Sequence, residues 1–333
     1  MDLKRIFMKD ACPTKIGGQA ILEGIMMRGS DRTATVIRLP DKSLYISTEK
    51  LKPASKWSKV PLIRGVVAFV GSLVMGTRIL MKSADILEKY EGETEDVEDD
   101  KLTLWLEKKF GKEGAWNAMM YASVVIALLF TVGVFILLPT VIVNWCKYFT
   151  SDPNVLNLIE GVLRIAMFVI YVALIRKMPD IRRVFQFHGA EHKCIHCYEK
   201  GLPLTVENCR PFYTLHPRCG TSFLMFVLVI SFLLHAFLGW PSLGLRIASR
   251  LLLLPVVAGV SYELLRWAGR SDNLLVKILS LPGLYLQKLT TVEPDDEQLQ
   301  VSITAMKAVL VPEDTPVYEG LCDCAPNAVC ETE

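Results

Sequence analysis

The chain has 333 residues, 51% of them hydrophobic, a formal net charge of +2 and a mean hydropathy of +0.34. That hydropathy is high for a soluble protein, and the near-neutral balance points away from specific nucleic-acid binding. Nine cysteines follow an N-terminus (Met1-Asp2-Leu3-Lys4-Arg5) that lacks a long apolar run and a small-residue cleavage site. The pattern argues against a cleaved signal peptide, and for reduced thiols or metal ligands rather than a disulfide framework.

Residues 1–60 read as a basic, cytoplasmic segment. Its stretch from Lys15 to Gly29 is rich in glycine, which lets a backbone turn tightly or approach another group closely. The order GxxxxGK[ST] of a phosphate loop is missing. Thr33 to Leu39 and Ser43 to Thr48 are β-favouring runs around Pro40-Asp41-Lys42, the pattern of a hairpin with a short turn. Residues 61–81 are apolar but hold Arg64, Arg78 and three glycines, and 91–100 (EGETEDVEDD) form an acidic run. In 61–115 we therefore expect an interfacial or re-entrant helix followed by a solvated linker, with partner docking as the alternative use of the acids.

Ala118 to Val143 holds about 20 or more uncharged, mostly apolar residues, enough to cross a bilayer. Asn154 to Ile175 is a second such segment, with Glu160 and Arg164 four apart on one face: an ion pair near one end, or groups facing a bundle interior. Thr221 to Leu238 and Ile247 to Leu265 are the third and fourth, joined by a connection short enough for an antiparallel hairpin. The loop over 176–220 carries Arg176, Lys177, Arg182, Arg183, Lys193, Lys200, Arg210 and Arg218, whereas 144–154 carries only Lys147. By the positive-inside rule the central loop and the N-terminus are cytoplasmic, although Arg246 and Arg250 at the outer end of the last span weaken the bias. Beyond it, Leu274 to Leu289 reads as an amphipathic segment broken at Pro282-Gly283, and Gln298 to Leu310 as a short helix behind helix-start signals. The tail with Cys322, Cys324 and Cys330 lacks paired histidines and is expected to be disordered, a metal-binding tail being the alternative.

Four of the five histidines lie between His188 and Cys219. His188-x-x-Glu191-His192 has the inverse zincin spacing. Residues four apart stack on one helix face, so both imidazoles can reach one ion, and Glu191 beside them could act as general base toward water. Gly189 costs such a helix roughly 1 kcal/mol relative to alanine, so its presence asks for a reason. Ordinary surface histidines are the plain alternative. A hydrolytic site needs a third protein ligand, and Glu263, His216 and Cys219 are candidates. Glu263 is preferred, because two histidines and a carboxylate leave a fourth position for water; its plain role is a pair with Arg266 or Arg270. A rival order, Cys194-x-x-Cys197 with His216-x-x-Cys219, would make a closed structural zinc site. Cys219, just before a span, could also be a thiol nucleophile partnered by His216.

Five ordered stretches, GGQAILEGIMMR (17–28), FHGAEHK (187–193), LHPRCGTSF (215–223), GVSYELLR (259–266) and LPGLYLQKLTTVEPDDEQ (281–298), resemble the YqhQ-like family of bacterial integral membrane proteins. The resemblance covers nearly the whole chain. It implies a predicted metal-dependent enzyme and places His188, Glu191, His192, His216, Arg218, Cys219, Glu263, Gly17, Gly18, Gln19, Glu23 and Arg28 on motif positions. The family pattern has threonine where this chain has Cys194, which speaks against a zinc site at Cys194-x-x-Cys197.

The expectation is thus a mainly α-helical, multi-pass protein of the cell membrane with both termini cytoplasmic. About four transmembrane helices (hairpins over 116–175 and 221–268) would join a small cytoplasmic α+β part, the site loop at 176–220 and an amphipathic region at 269–333. The expected activity is a metal-dependent hydrolase, with zinc the first choice of divalent metal, ligands His188, His192 and Glu263, and base Glu191. The alternative is a non-catalytic assembly, translocation or insertion factor that uses the polar cluster structurally and meets the bilayer or membrane-protein machinery. The substrate and oligomeric state stay open.

Overall fold

In a computed structural model of the chain, the structure describes residues 6–7, 12, 14, 16–51, 56–91, 101–150, 152–237, 242–268, 274–312 and 315–322. The acidic run at 92–100 and the tail cysteines Cys324 and Cys330 lie outside them. Four strands come first: β1 (Gly17–Ile21), β2 (Gly24–Arg28), β3 (Arg32–Arg38) and β4 (Leu44–Lys50). The helices then run α1 (Ile63–Glu91), α2 (Lys101–Val132), α3 (Leu138–Trp145), α4 (Pro153–Ile175), α5 (Pro179–Glu199), α6 (Val206–Cys209), α7 (Thr221–Ala236), α8 (Leu243–Leu252), α9 (Leu254–Ala268), α10 (Leu274–Thr290) and α11 (Asp296–Val309). A last strand, β5 (Glu319–Cys322), closes the described chain.

The chain divides into two compact units, Met1–Tyr90 with Val169–Ile230 and Pro255–Glu333, and Glu91–Phe168 with Ser231–Leu254. The first holds an antiparallel meander in the order β1-β2-β3-β4-β5. The expected hairpin is β3–β4; Lys42 takes φ +70° in its turn, and Asp41 accepts from the Ser43 amide at 2.9 Å. The glycine-rich stretch is itself a hairpin, β1–β2, turned at Leu22-Glu23 with Glu23 at φ +48°. Cys322, expected in a disordered tail, is paired with Leu44 across β4–β5.

One face of the sheet packs on α5 and α11. Ile25, Met27, Ala34 and Val36 meet Phe187, Ala190 and Cys194 from α5 and Leu299, Ile303 and Met306 from α11, all buried. Burying each of the larger side chains contributes about 1.5–3 kcal/mol. Helix α11 starts at a capping box: Gln298 N donates to Asp295 Oδ1 at 2.7 Å and Asp295 N to Gln298 Oε1 at 3.0 Å, worth about 1 kcal/mol. The C-terminal half of α1 lies on this unit too, with Ile79, Ile86 and Leu87 in one core with Ile21, Met26 and Ile37. Leu274–Thr290 is one helix, not a broken one; Gly283 lets it close on Ser222, whose Oγ would lie 2.5 Å from an added Cβ.

Among the described residues three helical segments are long and apolar enough to cross a membrane, Ile63–Tyr90, Tyr121–Trp145 and Pro153–Ile175, or four if the bent pair Leu243–Leu252 and Leu254–Trp267 counts as one. The pair bends by 44° where Pro255 follows the junction; proline lacks the amide that would continue the ladder. Thr221–Ala236, expected as a full span, has 16 residues, roughly 24 Å of helix against a hydrocarbon core of about 30 Å. In the second unit Val125, Ile126, Leu129 and Phe130 are more than half exposed; water opposes such a surface and a bilayer solvates it. The expected Glu160–Arg164 pair forms at 2.8 Å inside it, joined by Arg250 (Nε to Oε1, 2.7 Å) and by the Thr140 hydroxyl at 2.8 Å.

Candidate metal centre

Helix α5 begins with Pro179 at its first turn and Asp180 close behind, both favourable at a helix N-terminus. From Phe187 to Cys197 only His188 is not fully buried. His188, His192 and His196 follow at four-residue intervals and so share one face. The gap at Gly189 has a concrete cause: a Cβ there would lie 2.2 Å from the Val292 carbonyl oxygen and 3.1 Å from Thr214 Cγ2.

Each of the first two imidazoles is fixed by a backbone carbonyl. His188 Nδ1 lies 2.8 Å from Thr290 O at the end of α10, and His192 Nδ1 lies 2.5 Å from Thr214 O. A carbonyl only accepts, so Nδ1 carries a proton in both rings, and in the neutral imidazole Nε2 is then a bare lone pair. His188 Nε2 faces Cys219 Sγ at 3.1 Å. His192 Nε2 is buried without a hydrogen-bond partner among the described residues. Cys219 Sγ also meets the Thr221 amide (3.4 Å) and hydroxyl (3.2 Å) at the start of α7. The ligand atoms of His188, His192 and Cys219 all lie within 4.8 Å of one another. Two imidazole nitrogens with carbonyls fixing the rings behind them, plus one sulfur, form a donor set that could hold an ion through three ligands.

Glu191, next to these rings, is 5% exposed, and its Oε1 accepts from the Gly18 amide at 2.8 Å. Burial raises its carboxyl above the usual range, against the opposing pull of His188 and the Gly18 amide. An added Cβ on Gly18 would lie 2.6 Å from Met26 O and 3.0 Å from Glu191 Cδ, so β1 can close on the glutamate only with glycine there. The other residues of that motif stand apart. Gly17 has open space beside it, Gln19 packs against Gly76 of α1, and Arg28 is exposed at the end of β2. Glu23 binds Arg183 (NH2 to Oε2, 2.6 Å); burial is the largest influence on its carboxyl, but Arg183 and Arg38 outweigh it and hold the pKa low.

The structure does not bring Glu263 to His188 and His192. Its carboxylate is gripped by Arg64 of α1 (Nε to Oε1, 2.6 Å) and takes the Leu62 amide at 3.3 Å. Arg64 is reached because Gly65 and Gly259 let α1 and α9 approach closely, whereas Arg266 acts on Glu263 only through its charge and Arg270 lies outside the described residues. Cys219 stands in the third position expected of Glu263.

His216 and Arg218 belong to a second cluster with two residues the sequence reading passed over, His196 and Glu199. The ligand atoms of His196, Glu199 and His216 also lie within 4.8 Å of one another, all buried. Burial is the main cause that pushes His196 down to about 3, with the neighbouring His216 adding to it, and burial likewise holds His216 well below its ordinary range. Both rings are therefore neutral at physiological pH. Arg218 grips Glu199 through its guanidinium. Gln287 of α10 pins the loop, accepting from His216 N at 2.8 Å and donating to His216 O at 2.9 Å. The signal for His196 and Glu199 was the four-residue histidine spacing and the His-x-x-Glu that continues it.

Cys194 and Cys197 do not join His216 and Cys219. They lie with Cys209 in the core under the sheet and α11. Cys194 is two positions from His192, about 200° around the helix, and so faces away. Cys197 Sγ points at Pro203 O, 3.6 Å away; the nearby Cys209 thiol and burial push it far above the ordinary thiol range.

Comparison with known proteins places these motifs in a wider group. Residues 60–312 match the family described as "Protein of unknown function (DUF1385)". The chain is 34% identical over 312 residues to the "Uncharacterized protein YqhQ" of Bacillus subtilis (strain 168), covering 91% of this chain and 94% of that protein. No solved structure matches it. Matched over most of its length, the chain belongs to the DUF1385 family and is YqhQ-like.

Proposed function

We propose that the chain is a membrane-embedded, metal-dependent hydrolase with a cytoplasm-facing site, whose ion is held by His188 Nε2, His192 Nε2 and Cys219 Sγ. The carrying observation is the buried His192 Nε2 lone pair, left without a partner beside the other two donors. Two imidazoles and a thiolate suit zinc or another borderline-soft divalent ion. Bound there, the ion supplies a Lewis acid toward a carbonyl or phosphoryl oxygen. Glu191 is the general base: its carboxylate, buried beside the two imidazoles, would take a proton from water and return it to a leaving group. Thr290 O and Thr214 O orient the rings, and the Gly18 amide holds the base in place. The basic loop over 176–220 favours the cytoplasmic side, and the apolar helices carry the site in the membrane. A peptide bond of a membrane protein or a lipid-linked group are the substrate classes.

The 3.1 Å contact of His188 Nε2 with Cys219 Sγ favours a second reading, a thiol nucleophile with a histidine base. Elemental analysis of the purified full chain in detergent separates the two. An ion lost in both His192→Ala and Cys219→Ser, and kept in Glu263→Gln, supports the metal reading. A metal-free protein that is inactivated by alkylation of Cys219 supports the thiol reading. A metal-free protein whose Glu191→Gln and Cys219→Ser forms both restore a deletion strain sinks both.

A further inference from the structure

We propose a second divalent-metal site in the same unit, built from His196, Glu199 and His216. Its three ligand atoms lie within 4.8 Å of one another, and the residues are 1%, 4% and 4% exposed. The inference stands on its own residues and does not require the first site to be filled.

The donors are arranged for an ion. His196 Nε2 donates to Leu215 O at 2.9 Å, so Nδ1 of the neutral ring is a lone pair, and it is buried without a hydrogen-bond partner among the described residues. Glu199 is held on one oxygen only: Oε1 takes the Arg218 guanidinium and the Thr14 amide (2.9 Å), leaving Oε2 toward the cluster. His216 Nε2 is buried without a hydrogen-bond partner and lies 3.7 Å from Glu199 Oε2. That separation is too long for a hydrogen bond. Bonds of about 2.0–2.2 Å to one ion would set two ligand atoms about 3.4 Å apart at the tetrahedral angle, and further apart as the angle opens.

Ligation through His216 Nε2 requires the ring proton on Nδ1, which displaces a 3.3 Å contact from the Arg218 amide. The contact is longer than the usual range of about 2.7–3.2 Å, so little is given up. His196 and Glu199 share a face of α5 at three-residue spacing. Two imidazoles and a carboxylate, without sulfur, suit zinc, manganese, ferrous iron or cobalt. The rings of His192 and His216 are 5.6 Å apart between centroids, so the two sites are neighbours.

The test is a titration of the metal-stripped full chain, in detergent, with cobalt(II), counting equivalents bound and recording the absorption spectrum. The proposal expects two equivalents. One carries a thiolate-to-cobalt charge-transfer band and disappears in Cys219→Ser. The other shows only ligand-field bands and disappears in Glu199→Gln and, separately, in His196→Gln, with the charge-transfer band kept. A single equivalent that carries the band and survives both substitutions overturns the second site and leaves the first standing. A single equivalent without the band, lost in Glu199→Gln, supports this site and removes the first. No cobalt bound overturns both. The wild-type count decides the matter even where a variant does not fold.

Discussion

Gly189→Ala isolates one structural cause. On an unconstrained helix the substitution would stabilise by roughly 1 kcal/mol. Here the new methyl would stand 2.2 Å from Val292 O and 3.1 Å from Thr214 Cγ2. The Val292 carbonyl belongs to a segment fixed by its own amide, which donates to Phe185 O at 2.9 Å, so it cannot retreat freely. Overpacking of this kind costs about 1–3 kcal/mol, and losing the Val292–Phe185 hydrogen bond adds about 0.5–1.5. After the propensity gain is subtracted, the net loss is about 0.5–3.5 kcal/mol, a drop of up to several degrees in apparent melting temperature for a chain of this size. Because Thr214 also holds the His192 ring, the variant should lose metal affinity as well. The assay is thermal unfolding of purified protein in detergent, with Gly17→Ala as control, since nothing lies within 4 Å of a Cβ at that position. A Gly189→Ala protein that melts at or above the wild-type temperature would falsify the close approach.

Glu191→Gln keeps an acceptor for the Gly18 amide, so stability should change by less than about 1 kcal/mol, whereas turnover of any substrate that is found should fall by about 10²–10⁴-fold; equal turnover in both proteins would remove Glu191 as base. Gln287→Leu strips partners from the buried amide and carbonyl of His216. At about 1–3 kcal/mol for each of the two unsatisfied groups, it should destabilise by about 2–6 kcal/mol in the same melting assay, and an unchanged melt would contradict the pinned loop. Acid should destabilise the fold through His196. Its folded-state value of about 3 lies below the ordinary 6.5, so the unfolded chain binds the extra proton. That part of the stability is present above pH 6.5 and is lost as pH falls toward 3. Glu191, raised by burial, acts with the opposite sign above pH 4.5. Melting temperature against pH, compared between metal-stripped wild type and metal-stripped His196→Gln, should show a shallower acid slope in the variant; identical slopes would count against the buried neutral ring.

What could be read from the sequence was local. The β3–β4 hairpin announced itself through Pro40-Asp41-Lys42, the histidine helix through four-residue spacing, and the apolar helices through their length. The β1–β2 hairpin was hidden because its two-residue turn, Leu22-Glu23, lacks the usual turn residues and Glu23 itself takes the positive φ. Which of the three candidates, Glu263, His216 or Cys219, lies beside His188 and His192 could not be read, because it depends on packing between distant segments: Glu263 is drawn off by Arg64, 199 positions away in the chain. Cys219 instead reaches His188 across 31 positions through the loop that Gln287 pins. Helix α10 runs on through Pro282, and the close approach of Gly283 to Ser222 beside it is a long-range contact that no local pattern announces.

The central claim is that Cys219 and two histidines of α5 hold one ion. X-ray absorption at the metal edge of the purified full chain tests it most directly. The account predicts a sulfur neighbour at about 2.3 Å together with nitrogen neighbours at about 2.0–2.1 Å, with the sulfur shell gone in Cys219→Ser and unchanged in Glu263→Gln. A bound metal with no sulfur shell, or a sulfur shell that persists in Cys219→Ser, would contradict it.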